Sequence, residues 1–233
     1  MTAPNRRRGP VPGSGTTLLV IAKEPVAGRV KTRLVPPCTP RQAAALAEAA
    51  LADTLHAMLT APARRRVLVL DGEPGPWLPP GFDVMPQCGG GLDERLAGAF
   101  AAVTGPALLI GMDTPQLTPG LLTVDWEGVD AWFGPAADGG FWGLGLRRPD
   151  ATLVRGVPMS TADTGAVQRA RLHAAGLRVA DLPRLRDVDT AADAVAVARQ
   201  APRTRFAARA RELAPVLGLP ARAHPARAAG ERP

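Results

Sequence analysis

Two lysines point most directly to chemistry in this sequence. Of 28 lysines and arginines together, only Lys23 and Lys31 are lysine, and both stand in the stretch LLVIAKEPVAGRVKTRL, residues 18–34. An ammonium is a compact point charge that can approach a phosphate oxygen closely, whereas a guanidinium is a wide planar fork. The apolar run ends at Ala22, and a polar loop with Gly28 and the cations Lys23, Arg29, Lys31 and Arg33 follows at once. A strand that runs straight into a glycine-bearing cationic loop is how α/β proteins hold phosphate outside the carboxyl end of a strand. The bland alternative, two solvated lysines on a surface loop, stays open beside it.

Carboxylates that close apolar runs are the matching half of such a site. Asp113 ends PALLIGM, where an acid is delivered to the carboxyl edge of a sheet, although an Asp after a strand is as often a turn or helix cap. Asp187 and Asp189 stand two apart in DVD, and in extended backbone such residues point to one side. Together the three acids would form an oxygen-rich shell for Mg²⁺ or Mn²⁺. Asp138 opens an Asp-Gly-Gly turn, where the glycines either let backbone approach a ligand or only satisfy a hairpin. Gly89, Gly90 and Gly91 precede Asp93, Glu94 and Arg95; a base or ribose could lie on that glycine backbone, or the glycines only loosen a loop.

Other chemistries find no support. There is no G-x-x-x-x-G-K-[ST] loop and no G-x-S-x-G elbow. His56, His173 and His224 are scattered, and Cys38 and Cys88 are too few for a disulfide framework or a zinc site, which makes a cytoplasmic setting the default. The net charge of +7 is concentrated at the termini, without aromatic interleaving, so no specific nucleic-acid module is expected. No apolar run approaches the roughly 18 residues that span a bilayer, and no signal peptide is read.

The elements that must position these groups follow from pattern. Residues 1–15, rich in Pro, Gly and Arg, read as a disordered arm. Strands are expected at 16–23, 66–71, 83–87, 106–112, 131–134, 141–146 and 178–182. Thr39, Pro40 and Gln42 spell a capping box that opens a helix to about residue 59. Further helices are expected over 92–103, within TPQLTPGLL, from a cap at Ser160 or Thr161 to Gly176, and from the N-cap Thr190 to about 199. One more, amphipathic, would cover 205–217. Alternation at this spacing predicts a mostly parallel sheet of about seven strands with helices on both sides. The chain divides into the arm, a domain over 16–200, and a basic helix with a disordered tail over 201–233.

AKEPVAGRVKTRL, GLDERL, GMDTPQL, GPAADGGFWGLGL and RDVDTAAD, in that order, resemble the DUF2064 proteins, also labelled radical-SAM/selenodomain-associated transferase 1. The resemblance runs from about residue 17 to 199. It implies a GT-A (Rossmann-like) three-layer α/β/α sandwich with a mixed, mostly parallel sheet. VKTRL, the strand end at Asp113 and DVDT also resemble 2-phospholactate (phosphoenolpyruvate) guanylyltransferases and, more distantly, molybdenum-cofactor guanylyltransferases. Carried over, Lys23, Lys31 and Arg33 are phosphate ligands, and Asp113, Asp187 and Asp189 are the metal shell. Asp138 with Gly139 is an acceptor-side or metal-linked turn. Gly28, Gly90, Gly91 and Arg95 complete the nucleotide side. The chain departs from the family at Phe141 and Trp142, where tyrosines are usual, and at Gly143, where a larger residue is common and whose smallness would widen the acceptor pocket.

The reading this yields is a metal-dependent nucleotidyltransferase. An acceptor phosphate or phosphonate attacks the α-phosphorus of a nucleoside triphosphate, pyrophosphate leaves, and no general base is demanded because the acceptor is already anionic. The alternative is a GT-A glycosyltransferase with a nucleotide-sugar donor, for which Asp138 would be the base. A non-catalytic nucleotide-binding module ranks third. The partners expected are a nucleotide and a small acceptor, with neither a membrane nor a specific nucleic acid, and a homodimer is allowed for.

Overall fold

The first strand, β1 (Thr17–Lys23), forms because TLLVIAK is an almost unbroken aliphatic run, and both of its faces are sealed: Leu18, Leu19 and Val20 are wholly buried. The structure, a computed structural model, describes residues 12–219. β1 sits inside one seven-stranded sheet with β2 (Arg65–Asp71), β3 (Asp83–Pro86), β4 (Ala107–Gly111), β5 (Ala131–Pro135), β6 (Phe141–Leu146) and β7 (Val179–Asp181). The spatial order is β3-β2-β1-β4-β6-β5-β7. β6 runs antiparallel to both neighbours, because a short turn joins it to β5, and every other pairing is parallel. The expected α/β class and mixed, mostly parallel sheet are therefore what the chain adopts.

Two cores cover the two faces. Leu18, Val20, Leu68 and Ile110 pack with Leu51, Leu55 and Met58 of α1 (Pro40–Thr60), and Leu122 of the short α3 (Pro119–Leu122) joins them. Leu19, Val69, Leu109 and Phe133 pack with Leu96 and Phe100 of α2 (Leu92–Ala101) and Leu172 of α4 (Thr164–Ala174). The capping box of Thr39 and Gln42 opens α1, and a second, of Thr190 and Asp193, opens α5 (Ala191–Gln200).

A third core lies outside α1. Leu46 and Ala50 of α1 meet Val197 of α5 and the wholly buried Phe206 of α6 (Arg205–Glu212). Asp53, on α1, accepts hydrogen bonds from the N–H groups of Arg205 (3.0 Å) and Phe206 (2.8 Å), so α1 itself caps α6. Residues 201–219 are thus built into the packed structure.

Three local expectations change. The helix expected to start at Ser160 or Thr161 begins at Thr164, because the Thr161 N–H is turned to the Thr164 hydroxyl (3.1 Å) and Ser160 has left-handed backbone (φ 60°). The single helix over 205–217 is two, α6 and α7 (Ala214–Leu217): Pro215 cannot donate into the preceding turn and its ring clashes there, so the helix restarts. Residues 12–15, placed in the arm, form a turn closed by the Thr16 N–H on the Gly13 carbonyl (2.9 Å), with Gly13 buried. Residues 1–11 of that arm, and the tail from 220, lie outside the described residues.

Candidate active site

The chain runs outward from β1 through β2 to β3, then returns to place β4 on the other side of β1. Open α/β sheets bind ligands beyond the strand ends at such a reversal, and here the two strand ends carry Lys23 and Asp113. A cleft of about 610 Å³ opens over this edge. Of the residues singled out in the sequence, it is lined by Lys23, Lys31, Arg33, Gly90, Arg95, Asp113, Asp138, Asp187 and Asp189. Gly28, in a turn with φ 82°, and Gly91, the N-cap of α2, do not line it.

The third core explains how groups so distant in sequence meet. Leu34 follows the cationic loop and Val188 lies between the two acids; both are sealed in that core, with exposures of 0% and 1%. With Val188 turned inward, extended backbone sends Asp187 and Asp189 the opposite way, into the cleft. The Val188 N–H also donates to the Asp113 carbonyl at 3.0 Å, tying the DVD segment to the end of β4. Burial of one such side chain stabilises by about 1.5–3 kcal/mol. That offsets the roughly 1–3 kcal/mol cost of holding Lys31 in left-handed backbone, φ 47°.

Lys31 is the centre of the arrangement. Its Nζ donates to Oδ2 of Asp113 at 2.6 Å and to Oδ1 of Asp189 at 2.8 Å, and its side chain is only 12% exposed. Burial on its own would push the ammonium pKa down, but the two carboxylates outweigh it and hold the group above its ordinary value. Arg33 donates to the other oxygen of Asp189 at 3.1 Å. Both cations, expected on phosphate, are here engaged with acids. Arg95, expected on the nucleotide, is likewise held: it donates to Asp71 at 2.9 Å, to the Gln87 side chain at 3.1 Å and to the Gly90 carbonyl at 3.2 Å.

Asp187 has no such partner. Its Oδ1 is buried and accepts no hydrogen bond. Burial, and then the charges of Asp113, Asp138 and Asp189, push its carboxyl up to about 8 against the partial relief of Lys31. Among the described residues no three acidic, histidine or cysteine groups converge as a ready metal cage, and the Lys31 ammonium stands between two of the three expected ligands. The donors are nonetheless all carboxylate oxygens, the set that Mg²⁺ and Mn²⁺ take, and the orphaned Asp187 oxygen is the one a cation would satisfy.

The Asp138 turn is shaped by protein contacts as well as by the cleft. Its Oδ1 accepts the Gly140 N–H at 2.8 Å, a local Asx turn. Gly139 has φ 94°, and a Cβ there would stand 2.0 Å from the Ala162 carbonyl oxygen, so the glycine permits the turn to pack against the start of α4. Gly143 lies within β6, away from the cleft, and does not widen it. Trp142 is buried with its indole N–H on the Pro183 carbonyl (2.9 Å), while Phe141 is partly exposed to the cleft.

One residue went unrecognised despite a usable signal. Asp71 ends the apolar run RVLVLD just as Asp113 ends its own, and the Arg95 hydrogen bond, with the charges of Arg95, Lys23 and Arg29, holds its carboxyl below the usual range. Gln87, Met159 and Thr164 carried no comparable signal.

A family model described as "Uncharacterized protein conserved in bacteria (DUF2064)" matches residues 44–161. The chain is similar to a crystallised candidate nucleotide-diphospho-sugar transferase from Desulfovibrio desulfuricans G20, with 26% identity, TM-score 0.79, and coverage of 88% of this chain and 97% of that one. It shares the fold of a Mycobacterium sp. strain JC1 homologue of Mycobacterium tuberculosis Rv0371c (20% identity, TM-score 0.50, 86% and 99% covered). It also shares that of a CMP:2-keto-3-deoxy-manno-octonic acid synthetase complexed with CTP (13% identity, TM-score 0.51, 85% and 100% covered). No curated protein sequence matches the chain. Among the described residues no helix is long and apolar enough to cross a membrane. With the fold expected of it and half its length matched by the family model, the chain belongs to the DUF2064 family.

Proposed function

We propose that this protein is a metal-dependent transferase that uses a nucleotide donor, and that the reaction is nucleotidyl transfer: a nucleoside monophosphate passes from a triphosphate to a small acceptor and pyrophosphate leaves. The observation that carries the reading is the Lys31 ammonium, bonded to Asp113 and Asp189 at the reversal of the sheet. It gathers the cationic loop and the acids around one mouth. Lys23 and Arg29, the latter 3.8 Å from Asp71, are the less engaged cations there and would meet the phosphates first. Asp113, Asp187 and Asp189 would hold Mg²⁺ or Mn²⁺, which when bound neutralises charge on the phosphoryl oxygens and the leaving group. The chain's own part is electrostatic: Lys23, Lys31 and Arg33 stabilise the charge that grows during transfer.

Glycosyl transfer from a nucleotide sugar is the second reading, and the name of the Desulfovibrio desulfuricans relative favours it. The products separate the two. The protein is incubated with Mg²⁺, a mixture of small acceptors and each nucleoside triphosphate, and pyrophosphate is measured. Release of pyrophosphate is expected. Nucleoside diphosphate released only from a sugar nucleotide moves the assignment to the second reading, and calorimetry that finds no nucleotide bound overturns both.

A further inference from the structure

The cleft is electrically lopsided, and the lopsidedness bears on the acceptor. Among the described residues its cations, Lys23, Arg29, Lys31, Arg33 and Arg95, come from the end of β1, the loop after it and α2. Past Asp113 along the sheet edge the lining changes to Asp138, Phe141, Met159, Ser160, Thr161 and Asp187, with no cation. Arginines of that flank are engaged elsewhere, Arg186 with Asp193 at 2.8 Å. Arg184 donates to the carbonyls of Ala136 (3.3 Å) and Ala137 (2.9 Å), and Arg169 lies over the Phe133 ring and pairs with Asp181.

Resting on the proposed nucleotide-dependent transfer, we propose that the acceptor is an uncharged or cationic hydroxyl compound, such as a polyol or amino sugar, and carries no phosphate or phosphonate. A phosphate entering beside Asp138 and Asp187 would bring like charge against carboxylates, an arrangement that protein interfaces use to reject partners. A bound divalent ion, Lys31 and Arg33 together would at most cancel the four carboxylates, leaving no net positive charge on that flank to draw an anion. The groups present suit a polyhydroxyl or ammonium compound. Ser160 and Thr161 offer hydroxyls, Phe141 offers a partly exposed ring face for a sugar or an ammonium, and among the described residues Oδ2 of Asp138 has no hydrogen-bond partner while Oδ1 is taken by Gly140.

This changes what the chain must do. A hydroxyl, unlike a phosphate, has a proton to lose. As its oxygen forms the bond to the α-phosphorus, the bond from that phosphorus to the bridging oxygen breaks and its electron pair leaves with pyrophosphate. The hydroxyl proton passes to Oδ2 of Asp138, which enters the reaction as carboxylate.

Calorimetry on the full chain tests this in two stages. A non-hydrolysable nucleoside triphosphate with Mg²⁺ is titrated first; if it does not bind, the nucleotide reading itself falls. With it bound, matched pairs are titrated: glycerol and glycerol 3-phosphate, glucosamine and glucosamine 6-phosphate, choline and phosphocholine. The unphosphorylated member of at least one pair is expected to bind about tenfold or more tighter than its ester. Equal or tighter binding of the esters, or binding by no unphosphorylated compound, overturns the acceptor assignment while leaving the nucleotide reading in place. Asp138→Asn supplies the kinetic arm: kcat is expected to fall on the order of 10²-fold with nucleotide affinity unchanged. Undiminished kcat removes Asp138 as the base and overturns the proton step. Phe141→Lys should shift the preference toward the phosphorylated members; an unshifted preference overturns the electrostatic argument.

Discussion

Where β5 and β7 begin, Arg178 grips Asp130 through its backbone N–H (3.1 Å), Nε (2.7 Å) and Nη2 (3.1 Å). At the opposite edge of the same sheet, Asp113, Asp138, Asp187 and Asp189 gather around Lys31 and Arg33. The chemical groups are of the same kinds and the bonds of similar length. The balance differs. At the first edge the acid bonds one cation, Arg178, which is 62% exposed, the charge of Arg147 adds to the pull, and the Asp130 carboxyl drops to about 2. At the second, acids outnumber the cations they touch, Lys31 is nearly sealed, and one carboxyl is pushed up to about 8. An exposed acid with its charge fully met is at rest. Charge held out of balance in a cleft is what a ligand can relieve, and it marks the functional edge.

The largest effect should come from removing the cation that partly balances the acids. Lys31→Met is expected to lower kcat/KM on the order of 10²–10³-fold and to abolish the nucleotide-induced rise in Tm. It also leaves Asp113 facing Asp187 without relief, while Asp189 keeps only Arg33. Breaking a buried pair costs on the order of 3–5 kcal/mol, and this one belongs near the lower end because Asp189 is 34% exposed. Adding Asp189→Asn should restore thermal stability without restoring activity, which separates the structural work of Lys31 from its chemical work. Kinetics and melting curves on both variants decide it; near-native turnover in Lys31→Met would put Lys31 outside the site.

Asp187→Asn tests the imbalance from the other side. Its buried Oδ1 has no donor and its charge is opposed by three neighbouring acids. An amide of the same shape cannot ionise and brings an N–H₂ that can donate to those acids. In metal-free buffer near neutral pH, Tm is expected to rise by roughly 2–4 °C, the shift that about 1 kcal/mol produces in a domain of this size. Activity should be lost, and Mn²⁺ should stabilise the variant less than the unaltered protein. Such opposition of stability and activity is the signature of a site kept under strain for function. A fall in Tm with activity retained would mean that Asp187 is an ordinary structural acid.

The sequence foretold the frame better than the partnerships. The aliphatic run of β1, the capping box at Thr39, the N-cap Thr190 and the acids at the strand ends are local signals, carried by a few adjacent residues, and each predicted strand is found. The bonds of Lys31 span 82 and 158 positions, and nothing local announces that its ammonium would rest on acids instead of facing open cleft. The start of α4 differs for a subtler reason: Ser160 takes left-handed backbone and the Thr161 N–H turns to the Thr164 hydroxyl, a geometry that residue propensities alone do not select among neighbouring Ser and Thr caps. Asp71 was legible. It obeys the rule that singled out Asp113, and its pairing with Arg95 follows once β2 and α2 are neighbours.

The smallest effect belongs to the exposed Asp130 edge. Asp130→Asn removes a carboxylate whose folded pKa, about 2, lies below the ordinary value of 3.8 because Arg178 donates to its charged form. An acid with a depressed folded pKa contributes its stability in full above the unfolded value and loses it as pH falls through the folded one. The unaltered protein should therefore melt slightly above Asp130→Asn at pH 6. The difference should shrink as the pH drops below about 4 and vanish near pH 2. At neutral pH the variant's turnover should match the unaltered protein, because Asp130 stands at the edge where β5 and β7 begin, far along the strands from the cleft. A loss of activity in this variant, or a melting difference that widens in acid, would break the distinction between the two edges.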